Sequence, residues 1–458
     1  MDYLRTAWPT PWMGLNTELD ADHMPAECLA VATNMYYQTP SLLRSRGGFD
    51  LLHDTGSSND VTRLYYWDLD SKLYIANDNA ELFKDTTAVA GVAENVTSMV
   101  SFGVGATPTL IVAEEKGAQD HTLHTYDGTT YAKLTGTAVP NAQKVMARAD
   151  GRLLATCDPD HPSRLYGSDV GAHTIWQGAY GGAFWMDIAP GQDGDIVDWI
   201  DYQQALYVWK ERAVYRVVGD HPQNYTRQRL YSCETVIPGT IVDVGNGVLY
   251  ATQSGVFPLN IVQQSEEYDL TRRIETYIQA KLGATRAAFS REMGAYIMTC
   301  KDTIIFVSNV ANRPDVWTLF SPPTSMSCAY QGPKFYLGSV NGKVYIYDHD
   351  DFKDDAAAFT VQLTTGNWDI GDQLKRKNIR FVSGLLNGAE NATATIKMHV
   401  DGSGAASQTT ALTAGTRNLI ECNLSAVELA IDVTYTSLTG PCYFGFIELR
   451  VVPEEDIM

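Results

Sequence analysis

The sequence has few positive charges and no long apolar run. Its 458 residues include 34 Lys and Arg against 54 Asp and Glu, a formal net charge of −20. This balance argues against a surface that binds nucleic acid, because such surfaces depend on basic patches. It is compatible with a protein past which DNA slides without adhering, where like charge on the wall is useful. No run approaches the roughly 20 apolar residues of a membrane span, so no span is expected.

A cysteine framework and a secretory signal are also missing. The seven Cys are dispersed, odd in number and without a Cys-x-x-Cys pair, which argues against a disulfide scaffold and a zinc site. We expect buried free thiols and synthesis in a reducing cytoplasm. The opening residues, MDYLRTAWPTPWMG, contain no basic stretch followed by an apolar one, as a signal peptide would.

Short hairpins of apolar, aromatic-rich strands recur along the chain. One of them, KFYLGSVNGKVYIYD, has two such runs on either side of an Asn341-Gly342 turn. The first bulky residues of the hairpins recur every 40 to 50 residues or so. They are Leu73, Leu110, Leu153, Leu206, Leu249, Tyr296 and Phe335. The pattern predicts an all-β fold, a β-propeller of seven blades; six or eight blades, or a β-sandwich with evenly spaced hairpins, are the alternatives.

Other segments of this region have their own patterns. Outer strands are predicted at residues 173–178 (HTIWQG) and 315–320 (DVWTLF). Residues 265–287 place apolar side chains at helical spacing and contain Gly283 as a stop signal. We predict a helix near 269–283, inserted between two blades and either packed on a face of the propeller or exposed as a linker.

Both ends of the chain differ from the propeller region. Residues 356–452 alternate polar and β-branched residues between turns, which predicts a small β-sandwich. In the N-terminal arm, residues 24–34 (MPAECLAVATN) indicate a short helix with Pro25 in its first turn. The arm's Trp8 and Trp12 need a partner surface, either the C-terminal module or a neighbouring subunit. The predicted domains are an arm (1–52), a propeller (53–352) and a C-terminal β-sandwich (353–458).

No catalytic, cofactor-binding or metal site is expected. The sequence lacks a repeated S-x-D-x-G-x-x-W box, a G-x-S-x-G motif and a P-loop. His161 and His173 lie near Asp158 and Asp160, but Asp-Pro and His-Pro turns explain this cluster better than a metal does. The acidic run at residues 348–355 lacks EF-hand spacing and indicates a solvated linker rather than a Ca²⁺ site.

Short sequence motifs occur near both ends of the chain. In order, residues 14–52 contain Gly14-Leu15-Asn16, Met24-Pro25-Ala26-Glu27, Asn34, Leu43-Arg44 and Arg46-Gly47. Residues 368–384, WDIGDQLKRKNIRFVSG, add a C-terminal element. In these motifs the chain resembles the tail nozzle, or packaged-DNA stabilisation (tail tubular), proteins of short-tailed bacteriophages.

The resemblance implies a structural virion protein rather than an enzyme. Proteins of this family form a six-fold ring below the head-to-tail adaptor, retain the packaged genome and conduct DNA during ejection. The resemblance therefore implies a homohexamer, a platform built from both chain ends, and contacts with the adaptor or portal complex and with tail fibres or spikes. DNA would pass through the channel without sequence-specific binding. The protein would be made in the host bacterial cytoplasm and reside in the virion tail.

The subunit or adaptor interface is expected in the arm and in a basic cluster near the C-terminal module. The candidates are Trp8, Trp12, Leu15, Arg44, Arg46, Lys375, Arg376 and Lys377. A ring needs a heterologous interface that closes on itself, and the arm is the segment best suited to cross it. The basic cluster either meets an acidic partner or ends a solvated strand. Two other functions stay open: a propeller that binds or hydrolyses glycans at the host surface, and a propeller that serves as an interaction scaffold.

Overall fold

The computed structural model of the chain describes residues 4–7, 13–39, 42–103, 108–117, 122–177, 182–219, 224–259, 268–309, 313–369, 376–387, 393–413, 418–436 and 440–453. Within these ranges the regular secondary structure is almost entirely strand, with one five-residue α-helix and two 3-10 turns. The predicted all-β class is confirmed. Its strands are rich in β-branched and aromatic side chains, which pack well on a pleated surface.

The N-terminal arm contributes six strands. They are β1 (Leu4–Ala7), β2 (Gly14–Leu15), β3 (Cys28–Thr33), β4 (Met35–Thr39), β5 (Leu42–Ser45) and β6 (Gly48–Asp54), with a 3-10 turn at Ala21–His23. The helix predicted over residues 24–34 is wrong, because most of that segment is strand β3. The spacing of Cys28, Leu29 and Ala32, all buried, fits one face of a helix, but pairing with distant strands decides the conformation.

Residues 61–348, together with β6, form seven antiparallel sheets. Blade 1 contains β7 (Val61–Trp67), β8 (Lys72–Asn77), β9 (Leu82–Lys84) and β10 (Thr87–Ala88); blade 2 contains β11 (Val96–Phe102), β12 (Thr109–Glu114), β13 (Leu123–Tyr126) and β14 (Tyr131–Lys133). Blade 3 contains β15 (Lys144–Ala147), β16 (Leu153–Thr156), β17 (Arg164–Gly167) and β18 (Phe184–Asp187); blade 4 contains β19 (Ile196–Tyr202), β20 (Ala205–Lys210), β21 (Ala213–Val218) and β22 (Thr226–Ser232). Blade 5 contains β23 (Val242–Asp243), β24 (Val248–Ala251) and β25 (Val256–Pro258); blade 6 contains β26 (Arg286–Ser290), β27 (Ala295–Thr299), β28 (Ile305–Asn309) and β29 (Arg313–Phe320); blade 7 contains β30 (Met326–Gln331), β31 (Phe335–Ser339) and β32 (Lys343–Asp348), with β6 as its outer strand.

The blades close into a wheel. A buried apolar cluster lies between each pair of neighbours, including one between blade 7 and blade 1. In that last cluster Cys328 and Val344 of blade 7 pack with Val61 of blade 1. Strand β6 pairs antiparallel with β32, so that Phe49 lies opposite Tyr347. The β-propeller prediction is confirmed with seven blades, and the seven bulky marker residues all lie on the second strand of a blade.

The two predicted outer strands had different outcomes. Residues 315–320 belong to β29, the outer strand of blade 6. The strand predicted at 173–178 is wrong, since the outer strand of blade 3 is β18. Residues 173–177 form turns and one bridge, because Trp176 turns inward and fills the space between blades 2 and 3.

The segment between blades 5 and 6 is less helical than predicted near 269–283. It contains a short helix, α1 (Glu275–Gln279), and a 3-10 turn at Leu282–Ala284. The apolar stripe nevertheless faces the core, because its members are all buried between the two blades; they are Leu270, Ile274, Ile278 and Leu282. The backbone N–H of Leu270 donates to the carbonyl of Val256 at 2.9 Å. The segment therefore lies beside β25 and takes the place of a fourth strand in blade 5.

The C-terminal strands complete a second unit, the platform, with strands of the arm. They are β33 (Lys353–Asp354), β34 (Ala357–Ala358), β35 (Val361–Thr365), β36 (Lys377–Asn387), β37 (Thr393–Val400), β38 (Gln408–Thr413), β39 (Asn418–Ala426), β40 (Leu429–Tyr435) and β41 (Tyr443–Pro453). One sheet has the order β39-β36-β41-β5-β4, with β1 also on β41. The other continues blade 6 in the order β29-β3-β35-β40-β37-β38, with β2 beside β3.

A single apolar core lies in this platform. Leu29, Met35 and Leu43 of the arm pack with residues of the C-terminal strands such as Ile379 and Leu429. Both chain ends therefore build the platform. Strand β6 crosses the predicted boundary at residues 52–53 and joins the arm to the propeller.

Candidate functional sites

Four of the five predicted interface residues that lie in the described ranges are buried inside the chain. Leu15, Arg44, Arg46 and Lys377 are all buried within the chain, and the assignment of the eight residues to an interface stays a prediction. Leu15 packs in the apolar cluster between blades 5 and 6. Trp8, Trp12 and Lys375 lie outside the described residues.

Arg46 is the centre of the junction between propeller and platform. Its guanidinium donates to both carboxylate oxygens of Asp354, at 2.6 and 2.5 Å, and its Nε donates to Asn34 Oδ1 at 2.8 Å. The guanidinium carbon lies 4.5 Å from the ring centroid of Phe49 and 3.9 Å from that of Phe359. A buried arginine of this kind needs both its charge partner and its donors satisfied. Here Asp354 supplies the charge partner, and Asn34 with the carbonyls of Gly47 and Ser321 supplies further acceptors.

Two of the motifs that carry the family resemblance, Asn34 and Arg46-Gly47, meet at this junction, whereas Gly14 lies elsewhere, beside β29. Asn34 has a positive φ of 61° and its side-chain amide donates to the carbonyl of Thr360 at 2.6 Å. A Cβ at Gly47 would lie 1.9 Å from the carbonyl oxygen of Asp348. Gly14, with a φ of 73°, lies so close to β29 that a Cβ would be 2.7 Å from Val316 Cγ1. These motif residues therefore have structural roles in fixing the platform to the propeller.

Arg44 lies next to this junction, on strand β5. Its guanidinium contacts the His349 ring and donates to the hydroxyl of Tyr36 at 3.2 Å. Burial lowers the pKa of His349, and the charge of Arg44 lowers it further. A neutral imidazole can accept from the guanidinium, whereas a protonated one would repel it.

The basic cluster separates into a buried and an exposed residue. Lys377 Nζ donates to the carbonyl of Asp369 at 2.6 Å. The Arg376 side chain is 53% exposed and forms an ion pair with Asp401 at 2.8 Å. Burial acts to raise the pKa of Asp401, but hydrogen bonds from the backbone N–H groups of Val427 and Glu428, together with Arg376, lower it overall. Arg376 is thus the predicted interface residue that the described structure leaves at the surface.

Polar contacts join several neighbouring blades near the starts of their first strands. Arg63 Nε in blade 1 donates to the carbonyl of Thr97 in blade 2 at 2.9 Å. Lys144 Nζ in blade 3 lies 2.6 Å from Asp198 Oδ1 in blade 4. Asp198 Oδ2 accepts from the backbone N–H of Gly239 at 2.7 Å. In the sequence, each of these side chains is visible only as a charged residue near the start of an apolar strand. The strand pattern does not show that the side chain contacts a neighbouring blade.

A cleft of about 310 Å³ opens at blade 3. Trp185 on its rim is 55% exposed, and the guanidinium of Arg164 lies 4.0 Å from the Trp185 ring centroid. Arg164 also forms an ion pair with Asp187 at 2.8 Å. On the floor, the hydroxyl of Tyr166 donates to Asp158 Oδ2 at 2.5 Å. An exposed aromatic ring beside planar polar groups is suited to bind a ligand with both apolar and hydroxyl surfaces.

The histidine and aspartate cluster does not form a metal site in the described parts of the chain. His161 lines the blade 3 cleft, whereas His173 packs edge-on against Phe102 at 5.9 Å and has a pKa lowered by burial. No group of three or more His, Cys, Asp or Glu that could hold a metal ion occurs among the described residues. In the acidic run, Asp354 is engaged by Arg46.

All seven cysteines are free thiols, and five of them are buried. Burial raises the pKa of Cys300 and Cys328 to about 11 in each case, so both are protonated at neutral pH. None of the helices in the described ranges is long and apolar enough to cross a membrane.

Comparison with known proteins gives likeness of structure only. No protein-family model and no curated protein matches the sequence. The WD40 domain of Pan2 from Neurospora crassa is 10% identical, with 67% of this chain and 95% of that one covered and a TM-score of 0.42. Virginiamycin B lyase from Staphylococcus aureus is also 10% identical (69% and 94% covered, TM-score 0.34). The extracellular domain of the hybrid two component system BT4673 from B. thetaiotaomicron is 10% identical (84% and 55% covered, TM-score 0.46). All three TM-scores are below 0.5 and say nothing about function.

Proposed function

We propose that this protein is a tail nozzle of a short-tailed bacteriophage, a structural protein that assembles as a six-membered ring below the head-to-tail adaptor. The observation that carries the proposal is the junction at Arg46. The motif residues Asn34 and Arg46 are joined there, and strands from both chain ends share the platform sheets. A platform of this kind is what the resemblance implies for the ring-forming part of a nozzle.

The charge and the shape of the chain are consistent with this function. A net charge of −20 per subunit would make the wall of a ring repel DNA, so that the genome passes without adhering. Closure of each propeller leaves no free inner strand edge, which protects a repeated assembly from edge-to-edge aggregation. Retention of the genome, contacts with fibres or spikes, location in the virion and the lack of enzymatic activity belong to this proposal.

A mass measurement tests the proposal. The purified chain is measured by light scattering, alone and after mixing with the head-to-tail adaptor of the same phage. We expect a complex that contains six copies of the 50.4-kDa chain in the mixed sample. A chain that neither binds the adaptor nor forms a ring in its presence would refute the proposal.

A charge reversal at the platform surface makes the same test specific. Arg376→Glu changes the exposed residue of the basic cluster, and Arg229→Glu is its matched control because Arg229 on β22 is also an exposed arginine paired with an aspartate. We expect Arg376→Glu to weaken ring assembly on the adaptor several-fold and Arg229→Glu to leave it unchanged. Equal effects of the two changes on ring assembly would show that the interface does not include Arg376.

A second candidate function, glycan binding, is favoured by the blade 3 cleft. Trp185 offers a flat apolar face to a sugar ring, and Asn141, Asp160 and Gln177 line the same cleft. Trp185→Ala should abolish binding to immobilised host surface polysaccharide, whereas Tyr268→Ala, another exposed aromatic residue outside the cleft, should not. Absence of binding by the unmodified protein would eliminate this function and leave the nozzle proposal untouched.

A further inference from the structure

Two Asn-Gly pairs lie in turns between neighbouring strands of a blade. Asn246-Gly247 connects β23 to β24 in blade 5, and Asn341-Gly342 connects β31 to β32 in blade 7. A third pair, at residues 387–388, extends outside the described residues. An asparagine followed by glycine is chemically reactive, because no Cβ on the glycine hinders attack of its backbone nitrogen on the asparagine carboxamide. The two turns differ in whether the structure permits this attack.

The turn at Asn246 is open and has a glycine on either side of the asparagine. A Cβ at Gly245 or at Gly247 would meet no atom within 4 Å, and Asn246 is exposed. Among the described residues, no hydrogen bond holds the Asn246 carboxamide or the Gly247 N–H. The turn is fixed at its base, where the N–H of Val244 donates to the carbonyl of Gly247 at 2.9 Å and that of Gly245 donates to Asp243 Oδ1 at 2.8 Å. The Asn246 side chain can therefore rotate toward the Gly247 nitrogen without breaking a hydrogen bond.

The turn at Asn341 is held in place. The carboxamide oxygen of Asn341 accepts from the hydroxyl of Ser339. The carbonyl of Gly342 accepts from both the N–H and the hydroxyl of Thr55, at 3.2 and 2.9 Å. A Cβ at Gly342 would lie 2.2 Å from the carbonyl oxygen of Ser57, so this glycine packs tightly on the connection between β6 and β7. Attack on the Asn341 carboxamide requires some of these contacts to break first.

We propose that Asn246 is a site of spontaneous covalent modification, at which the folded protein converts asparagine to aspartate and isoaspartate. The backbone nitrogen of Gly247 loses its proton to a base in the solvent and attacks Cγ of Asn246. The new C–N bond closes a succinimide ring, the C–N bond of the carboxamide breaks, and its nitrogen takes a proton from water and leaves as ammonia. Water then opens the ring at either carbonyl, which gives aspartate or isoaspartate. Each conversion consumes a water molecule and releases ammonia, with no change of oxidation state.

The modification changes both the charge and the backbone of blade 5. Either product adds a negative charge to the turn that contains Asp243, on a chain whose net charge is already −20. Isoaspartate also places the Cβ of the residue in the main chain, which lengthens the turn between Val244 and Gly247. Because the hydrogen bond between these two residues closes the turn, this product loosens the end of the β23–β24 pair.

Peptide mass spectrometry of the stored protein tests the proposal. The native chain and the chain unfolded in guanidinium chloride are incubated at mildly alkaline pH, which favours loss of the backbone proton, and are digested at intervals. Conversion is measured from the mass change that accompanies replacement of NH by O. In the native chain we expect conversion at Asn246 to be at least about tenfold faster than at Asn341, because the contacts of the second turn raise the barrier. In guanidinium chloride the two rates should become similar, since these contacts are lost.

Gly247→Ala is the matched variant. The fold should accept it, because a Cβ at this position meets no atom within 4 Å and φ is not in the left-handed region. It should slow conversion at Asn246 several-fold, since the methyl group obstructs the attacking nitrogen, and leave the rate at Asn341 unchanged. Equal rates at the two asparagines in the native chain, or an unchanged rate at Asn246 in Gly247→Ala, would overturn the proposal. A tenfold difference that persists in guanidinium chloride would assign the effect to local sequence and overturn it as well.

Discussion

Arg46 connects the propeller to the platform through charge, hydrogen bonds and aromatic stacking at once. Its ion-pair partner Asp354 is 308 positions away in sequence. Because Asp354 is itself buried, loss of the guanidinium leaves a carboxylate without compensation. Arg46→Met should lower the free energy of unfolding by about 3–5 kcal/mol in urea denaturation.

The control for this prediction is Arg229→Met. Arg229 forms a comparable ion pair with Asp193 at 2.9 Å, but its side chain is exposed. Exposed pairs contribute about 0–1 kcal/mol, so the change in stability should stay in that range. Equal losses in the two variants would show that burial of the Arg46 pair does not decide its contribution.

His349 makes stability depend on pH. Its pKa in the folded state is lowered by burial and by Arg44, so the unfolded chain binds the proton more readily near the ordinary value of about 6.5. The stability of the fold therefore decreases as pH falls below about 6.5. The pKa values of His53 and His173 are also lowered, and these residues act in the same direction.

Replacement of His349 should flatten this dependence. Between pH 7 and 5, the free energy of unfolding should fall less steeply in His349→Gln than in the unmodified protein. The slopes should differ by up to about 1.4 kcal/mol per pH unit, as measured by urea denaturation at each pH. His23→Gln, at an exposed histidine on the arm, should retain the original slope. An unchanged slope in His349→Gln would assign the pH dependence to other groups.

At the scale of elements, the sequence predicted the strands whose side chains are apolar on both faces. The second strands, such as β20 and β27, are buried at every position, and that property is local and visible in the sequence. The first strands were missed where they carry charged residues that contact a neighbouring blade, as at Arg63 and Asp198. Long-range pairing decided the conformation of residues 24–34, which local spacing could not reveal.

The burial of the motif arginines could not be predicted for a related reason. Arg44 and Arg46 obtain partners from residues about 300 positions away. A single sequence shows a charge and does not show its distant partner. The same limit applies to the cleft at blade 3, whose walls come from turns that no periodic pattern marks.

Strand β6 is the outer strand of blade 7 and keeps that blade closed. It does not need an intact peptide connection to β7 to do so. The connection contains Gly56, where a Cβ would meet no atom within 4 Å, so a protease site inserted there should be tolerated. After cleavage we expect the N-terminal fragment to stay bound through β6 and the platform strands and to elute with the rest of the chain. In denaturant, the N-terminal fragment should separate from the rest of the chain.

A variant of the cleaved protein shows whether β6 is responsible. Phe49 is buried between blades 6 and 7, and Phe49→Asp places a charge in that core. The fragment should then dissociate in buffer. Release of the fragment from the unmodified cleaved protein would contradict a closed wheel.

At the scale of the whole molecule, the net charge of −20 should govern assembly. Copies of one acidic chain repel each other, and salt screens this repulsion over about 10 Å at 0.1 M. On the proposed nozzle function, the fraction of chain in rings on the adaptor should rise between 20 and 300 mM sodium chloride in sedimentation experiments. Rings that dissociate as salt is added would instead indicate that attraction between opposite charges holds the subunits together.

The pairing of β1 with β41 and of β6 with β32 sets the order in which the molecule can be completed. The first residues to leave the ribosome find their partners only when the last ones are translated. At about 5–20 residues per second, this delay is about 20–90 s. A chain that ends before β32 lacks both a finished wheel and a finished platform, and one that ends between β32 and β41 still lacks a finished platform. Incomplete products are therefore excluded from assembly by the fold itself.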